Sequence, residues 1–492
     1  MVSPPAGGSQ EGPVTSEPVP CDLLITGGTV VTVDDRRRVI DPGAVAITGD
    51  RIVAVGTARD LGHYQAKQVI DATGGAVLPG LVDTHQHLFQ YLTRGLGEGL
   101  ELWPWLSDFM WPVTTAISID EARIGAQLGA VEAARAGVTT VLDNHYAPTD
   151  FASTLAVADA IEAVGLRGAV ARGMTGELTG MAVKHGLAGE LFRYANQEEI
   201  DITRACIEAR PAGARVGVWP APLNIIYVSQ DLVVDAVGLA HEKGVGWHSH
   251  CSEAANDPVF YLEEYDRRPV LWLAERGLLG RGATLAHGIF LDDREVELVG
   301  DSRTGIAYCP ISHQYIALGV MRLRDLRGAG ATVALGLDGG SGHRLDMFAC
   351  MKQAVLLQRV HSQNPTESNG EEAIELATRA GAEYMGIEAG VIAPGKLADL
   401  VIVDQSAPHH SPLHRTVASV VYSTGPADVT HTIVGGDVIF ENGSCTMVDE
   451  AAVVEEANGR AADLVARAGL SPLLEPWRMT ETPPTTLDRS EG

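Results

Sequence analysis

An eightfold β/α barrel carrying a small β-sandwich built from both chain ends, an α/β fold, is what this sequence predicts. Three observations predict it. Between about residues 80 and 390, apolar strand-like runs precede stretches of helical period, and repeated strand–helix units with buried strands make a parallel sheet. On either side of that block the texture changes to short β-branched runs punctuated by Gly and Asp, the mark of half-buried antiparallel strands with tight turns. At least seven strand–helix units in roughly 310 residues fit a closed barrel better than an open sheet.

Residues 1–20 (MVSPPAGGSQEGPVTSEPVP) are rich in Pro, Gly and Ser and hold little to bury, so they read as a disordered tail. Residues 21–79 read as the first part of the sandwich, with strands in DLLITGGTVVTVD, GAVAITGDRIVAVG and KQVIDATGGAVLPG. The barrel takes 80–391. Its strands include TTVLDN, GAVARG, ARVGVWP, GVGWHSH, ATLAHG, GIAYCP and TVALGLD. Its helices include EARIGAQLGAVEAARAG (121–137) and DLVVDAVGLAHEKG (231–244), each closed by a glycine. The sandwich resumes over 392–446, where ADLVIVD (398–404), VASVVYSTG (417–425) and THTIVGGDVIFENG (430–443) read as strands. Neither β-rich end has strands enough to close a core alone. A C-terminal helix is assigned to 447–470 and a flexible tail to 471–492.

Of the 492 residues, 45% are hydrophobic and 20% charged, and the formal net charge is −27. Such a composition is that of a soluble globular protein with a large core. The acidic excess argues against nucleic acid and anionic membrane surfaces, which select a basic footprint. No apolar run nears the ~18 residues of a bilayer span. No basic side chain precedes Arg36, so a secretory leader is not expected. Six scattered cysteines without a CxxC pair fit reduced thiols. A cytoplasmic protein is the expectation.

Chemistry in a β/α barrel sits at the carboxyl ends of its strands. The run AVLPGLVDTHQH ends in His85 and His87, and a period of two puts both imidazoles on one side, where they can share a cation. GVGWHSH ends in His248 and His250, with Glu253 following; ATLAHG ends in His287 and TVALGLD in Asp338. Two solvated histidines would account for one HxH, but not for four such strand ends in barrel order. Spacing alone does not choose between His248 and His250.

The order PGLVDTHQH, HSHCSE, LAHG and GLDGG resembles the amidohydrolase superfamily, in its cytosine-deaminase-like branch that holds one metal. APGKLADLVIVD and VTHTIVGGDVIFENG resemble that family's C-terminal sandwich strands, so the resemblance covers roughly residues 22–446. HQHLFQ, LWPWL, GVTTVLDNHY and HSHCSE are similar in texture to triazine hydrolases and heterocycle deaminases. The resemblance implies His85, His87, His250 and Asp338 as metal ligands. His250 is preferred because Glu253 follows it by three, matching the family's HxxE element, and His248 would support the site from below. His287 would contact the metal's water or the substrate. No lysine ends ARVGVWPAPLN, so the bridging carbamylated lysine of two-metal relatives is missing. One divalent ion is implied, Zn2+ first and Fe2+ second.

The expected activity is that of a metal-dependent aminohydrolase, adding activated water to an amidine-type ring carbon of an aromatic N-heterocycle and expelling ammonia. Asp338 would take the proton of that water, and Glu253 would protonate a ring nitrogen and then the leaving group. His287 would steady the oxygen. Three alternatives stand beside it: a triazine-type hydrolase expelling chloride or an alkylamine, a cyclic amide hydrolase, and a non-catalytic scaffold. The last would usually have lost ligands that this chain keeps.

For the substrate pocket, LWPWLSDFMW (102–111) puts Trp103, Trp105, Phe109 and Trp111 in the long loop after the first strand. A planar ring could stack there, and a loop anchor or oligomer contact explains the aromatics equally well. Gln90 could hydrogen-bond ring nitrogens. His145, Tyr146, His313 and His343 follow strands on the same barrel face. His409, His410, His414 and His431 fall in the sandwich region, outside the catalytic argument. The expected partners are a small heterocyclic substrate and water, and the resemblance implies a homo-oligomer, dimer or tetramer.

Overall fold

A computed structural model describes residues 18–211 and 213–475. The expected tails therefore lie mostly outside the described residues. At the inner edge of the first, Val19 and Pro20 already belong to a strand, and Ser471–Leu474 form a single tight turn.

Seven strands come first: β1 (Val19–Thr26), β2 (Thr29–Val31), β3 (Val39–Ile40), β4 (Gly43–Thr48), β5 (Arg51–Thr57), β6 (Tyr64–Asp71) and β7 (Gly75–Pro79). Nine follow in the middle of the chain: β8 (Leu81–His87), β9 (Val138–His145), β10 (Arg167–Met174), β11 (Val216–Pro222), β12 (Trp247–Cys251), β13 (Ala283–His287), β14 (Gly305–Tyr308), β15 (Thr332–Leu335) and β16 (Asp338–Gly339). Four end the series: β17 (Leu400–Asp404), β18 (Val429–Val434), β19 (Asp437–Glu441) and β20 (Ser444–Cys445).

The terminal strands make two sheets, ordered β5–β4–β1–β6 and β20–β19–β18–β17–β7–β2–β3. The second joins the two ends of the chain, because β17 runs antiparallel to β7 with Val401 opposite Leu78. Alternation explains the pairing. Cys21, Leu23 and Ile25 of β1 are buried and the residues between them are half-buried. Leu23, Ile25 and Val45 from one sheet pack into one apolar cluster with Val77, Ile402 and Ile433 from the other. Each such side chain stabilises by about 1.5–3 kcal/mol when removed from water.

One expected strand is a helix. Residues 416–422 are helical, although VASVVY is β-branched. Val417, Val420 and Val421 recur at i, i+3 and i+4, and the last two are buried, so helical spacing outweighs intrinsic preference.

The middle strands pair in parallel in two arcs, β11–β10–β9–β8–β16 and β12–β13–β14–β15. The arcs touch where Asn224, just after β11, bridges to His250 of β12. At the other end β15 pairs with β14 and β16 with β8, and Thr84 Oγ1 of β8 donates to the Leu335 carbonyl of β15. Every residue of β8, β9, β12 and β13 is buried. Helices connect the strands. Ile119–Arg135 opens on a capping box made by Ser118 and Glu121, worth about 1 kcal/mol. Gly137 then turns with φ +77°, where an added Cβ would meet the Val401 side chain at 2.6 Å. The chain-end sheet thus sits tightly under this helix.

Arg172 of β10 is fully buried; its Nη1 donates to Glu199 Oε2 at 2.7 Å and its Nε to the Thr149 carbonyl at 2.7 Å. Removing one member strands the other charge in a dry interior. Arg172→Met should therefore destabilise the protein by about 3–5 kcal/mol, read as a lowered urea midpoint. A shift under about 1 kcal/mol would mean that Glu199 finds another partner.

Candidate active site

Strand ends bring the chemistry together. The His85 and His250 rings lie 4.8 Å apart between centroids and those of His87 and His250 stack at 5.3 Å. Asp338 Oδ1 faces both histidines of β8, 3.4 Å from His85 Nε2 and 3.2 Å from His87 Nε2. His287 Nε2 lies 3.6 Å from Glu253 Oε1. His287 and Asp338 both adopt left-handed backbone, φ +74° and +66°. That costs of order 1–3 kcal/mol at each non-glycine position, and both bends aim a side chain into the cluster.

Hydrogen bonds behind the imidazoles decide which nitrogens are free. His87 Nδ1 is 2.8 Å from the Asn144 carbonyl and His250 Nδ1 is 2.7 Å from the Leu223 carbonyl. A carbonyl only accepts, so both Nδ1 atoms carry the proton and both Nε2 atoms present a lone pair. His85 is set by a longer chain. Thr284 Oγ1 donates to the Trp247 carbonyl at 2.8 Å, and so accepts from His248 Nδ1 at 2.9 Å. His248 Nε2 then accepts from His85 Nδ1 at 2.9 Å, leaving His85 Nε2 as a lone pair. His248 stands behind His85, not among the converging donors.

This arrangement fits a metal. Two imidazole lone pairs facing one carboxylate repel unless a cation lies between them. Their 3.2 and 3.4 Å separations match the ~3.3 Å between donors around a tetrahedral ion with 2.0–2.1 Å bonds. His85 Nε2 and His287 Nε2 are buried without a hydrogen-bond partner, which is costly unless something fills the gap. His85, His87, His250 and Asp338 could hold the ion, and His287 belongs to the same cluster of donor atoms.

Electrostatics divides the titratable groups. Burial, then the neighbouring His85 and His87, holds His250 well below the usual histidine range. Burial does the same to His287. Glu253 moves oppositely: burial first, then the charges of Asp338 and Asp257, push its carboxyl well above the carboxylate range. Burial thus favours the protonated form of Glu253 and the neutral forms of His250 and His287.

A cavity opens above this floor. His87, His250, Glu253 and Asp338 form its base, and Trp105, Trp111, Tyr146 and Tyr227 give it aromatic walls. Gln90 also faces it, donating from Nε2 to Tyr146 Oη at 2.7 Å while its Oε1 has no partner.

Three expected pocket residues are placed elsewhere. Trp103 stacks on His185 with centroids 4.9 Å apart and does not line the cavity. The segment expected as a loop is helical from Leu102 to Ala116, so Trp103 and Trp105 point about 160° apart around the axis. His145 is fully buried with Nε2 on the Pro148 carbonyl at 2.7 Å, and burial lowers its pKa to about 4. His313 is buried behind His287, its Nε2 3.1 Å from His287 Nδ1. It orients a site residue and does not reach the cavity. Tyr227 and Ser312 were not foreseen. Ser312 Oγ donates to Asp338 Oδ2, fixing the carboxylate so that Oδ1 faces the histidines. Its only sequence signal is the position just after the GIAYCP strand.

A family model described as the Amidohydrolase family matches residues 76–439. A 5-methylthioadenosine/S-adenosylhomocysteine deaminase of Haloarcula marismortui is 34% identical over 449 residues, covering 91% of this chain and 99% of the relative. A 5'-deoxyadenosine deaminase of Methanothermobacter thermautotrophicus is 34% identical over 443 residues, 90% of this chain and 98% of the relative. Among solved structures, an adenosine deaminase from Xanthomonas campestris with bound zinc superposes with a TM-score of 0.82 at 27% identity, covering 91% of this chain and all of that one. A zinc complex of atrazine chlorohydrolase from Arthrobacter aurescens has a TM-score of 0.81 at 24% identity, over 89% of this chain and 100% of that one. That last likeness is one of fold alone.

Proposed function

The chain belongs to the amidohydrolase family, and from that membership we propose that it is a zinc-dependent deaminase of adenosine-type nucleosides. Water replaces the 6-amino group of the purine, which leaves as ammonia. The fold belongs to the same reading: the two arcs close into an eightfold barrel, and the two terminal sheets face each other as a sandwich. The observation that carries the proposal is a buried carboxyl, Glu253, 3.6 Å from His287 Nε2 and sharing with Asp338 the floor of an aromatic-walled cavity.

A divalent ion held by His85, His87, His250 and Asp338 would supply an acidified water at neutral pH. Glu253 holds the proton that a ring nitrogen needs when the attacked carbon becomes tetrahedral. Asp338, oriented by Ser312, accepts the proton released by the water. Glu253, recharged from that side, delivers the second proton to the departing amine, and the proton still on the added oxygen returns to Glu253 as the 6-oxo group forms. In the tautomer where His313 Nε2 donates to His287 Nδ1, His287 presents an Nε2–H that steadies the attacking oxygen. Trp105, Trp111 and Tyr227 offer flat apolar faces for a bicyclic ring, and the free Gln90 Oε1 an acceptor.

Zinc-loaded protein incubated with adenosine, 5'-deoxyadenosine, 5'-methylthioadenosine and S-adenosylhomocysteine should release ammonia and a 6-oxopurine product from at least one of them. A chlorinated and an N-alkylated triazine complete the panel. Chloride or alkylamine release without any ammonia from the nucleosides would transfer the assignment to a different leaving group.

A further inference from the structure

We propose a second divalent-metal site, made by His409, His410 and Asp428 outside the catalytic cluster and suited to Zn2+. The topology brings these residues together. Pro408–His410 is a tight turn soon after β17, and Asp428 ends the turn that leads into β18. β17 and β18 are antiparallel neighbours with Val403 opposite Val429, so the two turns emerge side by side.

The donor geometry is that of a metal site. His409 Nε2 lies 3.0 Å from Asp428 Oδ1 and His410 Nε2 lies 3.7 Å from Asp428 Oδ2. Each carboxylate oxygen faces one imidazole, and the distances bracket the ~3.3 Å expected around tetrahedral zinc. A plain ion pair between His409 and Asp428 leaves one feature unexplained. The His410 side chain is fully buried, with Nδ1 on Ser419 Oγ at 2.7 Å, and its Nε2 has no hydrogen-bond partner. That nitrogen is aimed at Asp428 from inside the protein. A cation shared by all three residues satisfies it.

The second imidazole opens the site to solution. His409 is 49% exposed at its side chain, so an ion can enter and keep water as its fourth ligand. Two imidazoles and a carboxylate suit borderline-soft Zn2+ better than Mg2+ or Ca2+. No residue is shared with the catalytic cluster, so the site acts as a clamp. It ties the turn after β17 to the turn before β18 across the short helix at 416–422.

The test counts ions on the holoenzyme. With the catalytic centre loaded, dialysis against excess Zn2+ should give a second equivalent per chain in the wild-type protein. His409→Ala removes an exposed ligand without disturbing packing and should abolish that equivalent. Asp428→Asn keeps the acceptor for the Gly425 amide and should do the same. Both variants should retain the first equivalent and their ammonia release. Added zinc should raise Tm in the wild type and not in His409→Ala, since an ion that binds only the folded state stabilises it. One equivalent in every protein, or a second that survives His409→Ala, overturns the proposal.

Discussion

Glu253→Gln should cut turnover by about 10²-fold or more, the scale of general acid–base catalysis, while fold and bound zinc stay intact. Glutamine keeps the size and hydrogen bonding of the side chain but cannot give up and regain a proton. The pH dependence carries the same information. Burial and the charges of Asp338 and Asp257 raise the Glu253 carboxyl well above its ordinary range, so it works as an acid while protonated and fails as pH climbs through that raised value. Wild-type kcat should therefore hold from acid into neutral pH and fall on the alkaline side. The Gln variant should lose that descending limb. Near-normal kcat in zinc-replete Glu253→Gln would hand proton transfer to Asp338 and His287, and loss of zinc would make Glu253 a group that holds the ion.

The second large effect separates two histidines on one strand. His250→Ala removes a lone pair aimed at the converging donors and should leave a protein that gives up its catalytic ion to a chelator. His248→Ala removes only the acceptor behind His85 Nδ1, and loss of such a support weakens metal affinity by about 10–100-fold. Zinc retained after gel filtration with chelator, measured in a His409→Ala background so that the outer site does not contribute, gives the order. Greater loss in His248→Ala would exchange their roles.

Much of the site was legible because strand-end chemistry is written locally. His85 and His87 alternate on one strand, and a two-residue period fixes their common side wherever the strand lies. The same period could not separate His248 from His250. What tells them apart is tertiary: His250 Nδ1 meets the Leu223 carbonyl, 27 positions away, whereas His248 Nε2 is engaged by His85 Nδ1, 163 positions away. Depth was equally invisible. His145 ends a strand and His313 follows one, yet neighbours close over both and neither lines the cavity. For Trp103 and Trp105 the missing fact was local: treating 102–111 as loop hid the helical winding that turns one ring away. In that segment the Trp111 amide reaches back to the Leu106 carbonyl, five residues away. Such a widened turn carries little sequence signature and recurs at functional sites.

The antiparallel seam between β7 and β17 has a consequence for the timing of synthesis. β7 leaves the ribosome early, but its neighbour is encoded about 320 residues later, a delay of about 16–64 s at 5–20 residues per second. Throughout that interval Val77 and Leu78, both buried in the finished protein, must wait with one open edge. The β1–β4–β5–β6 sheet can pair at once, since its strands are contiguous in sequence apart from two small segments. The nascent chain thus carries paired strands whose apolar core still lacks Leu400, Ile402 and Ile433, and unpaired edges of this kind recruit other strands. Chaperone capture of the growing chain would have its greatest value there, until residue 404 has cleared the exit tunnel.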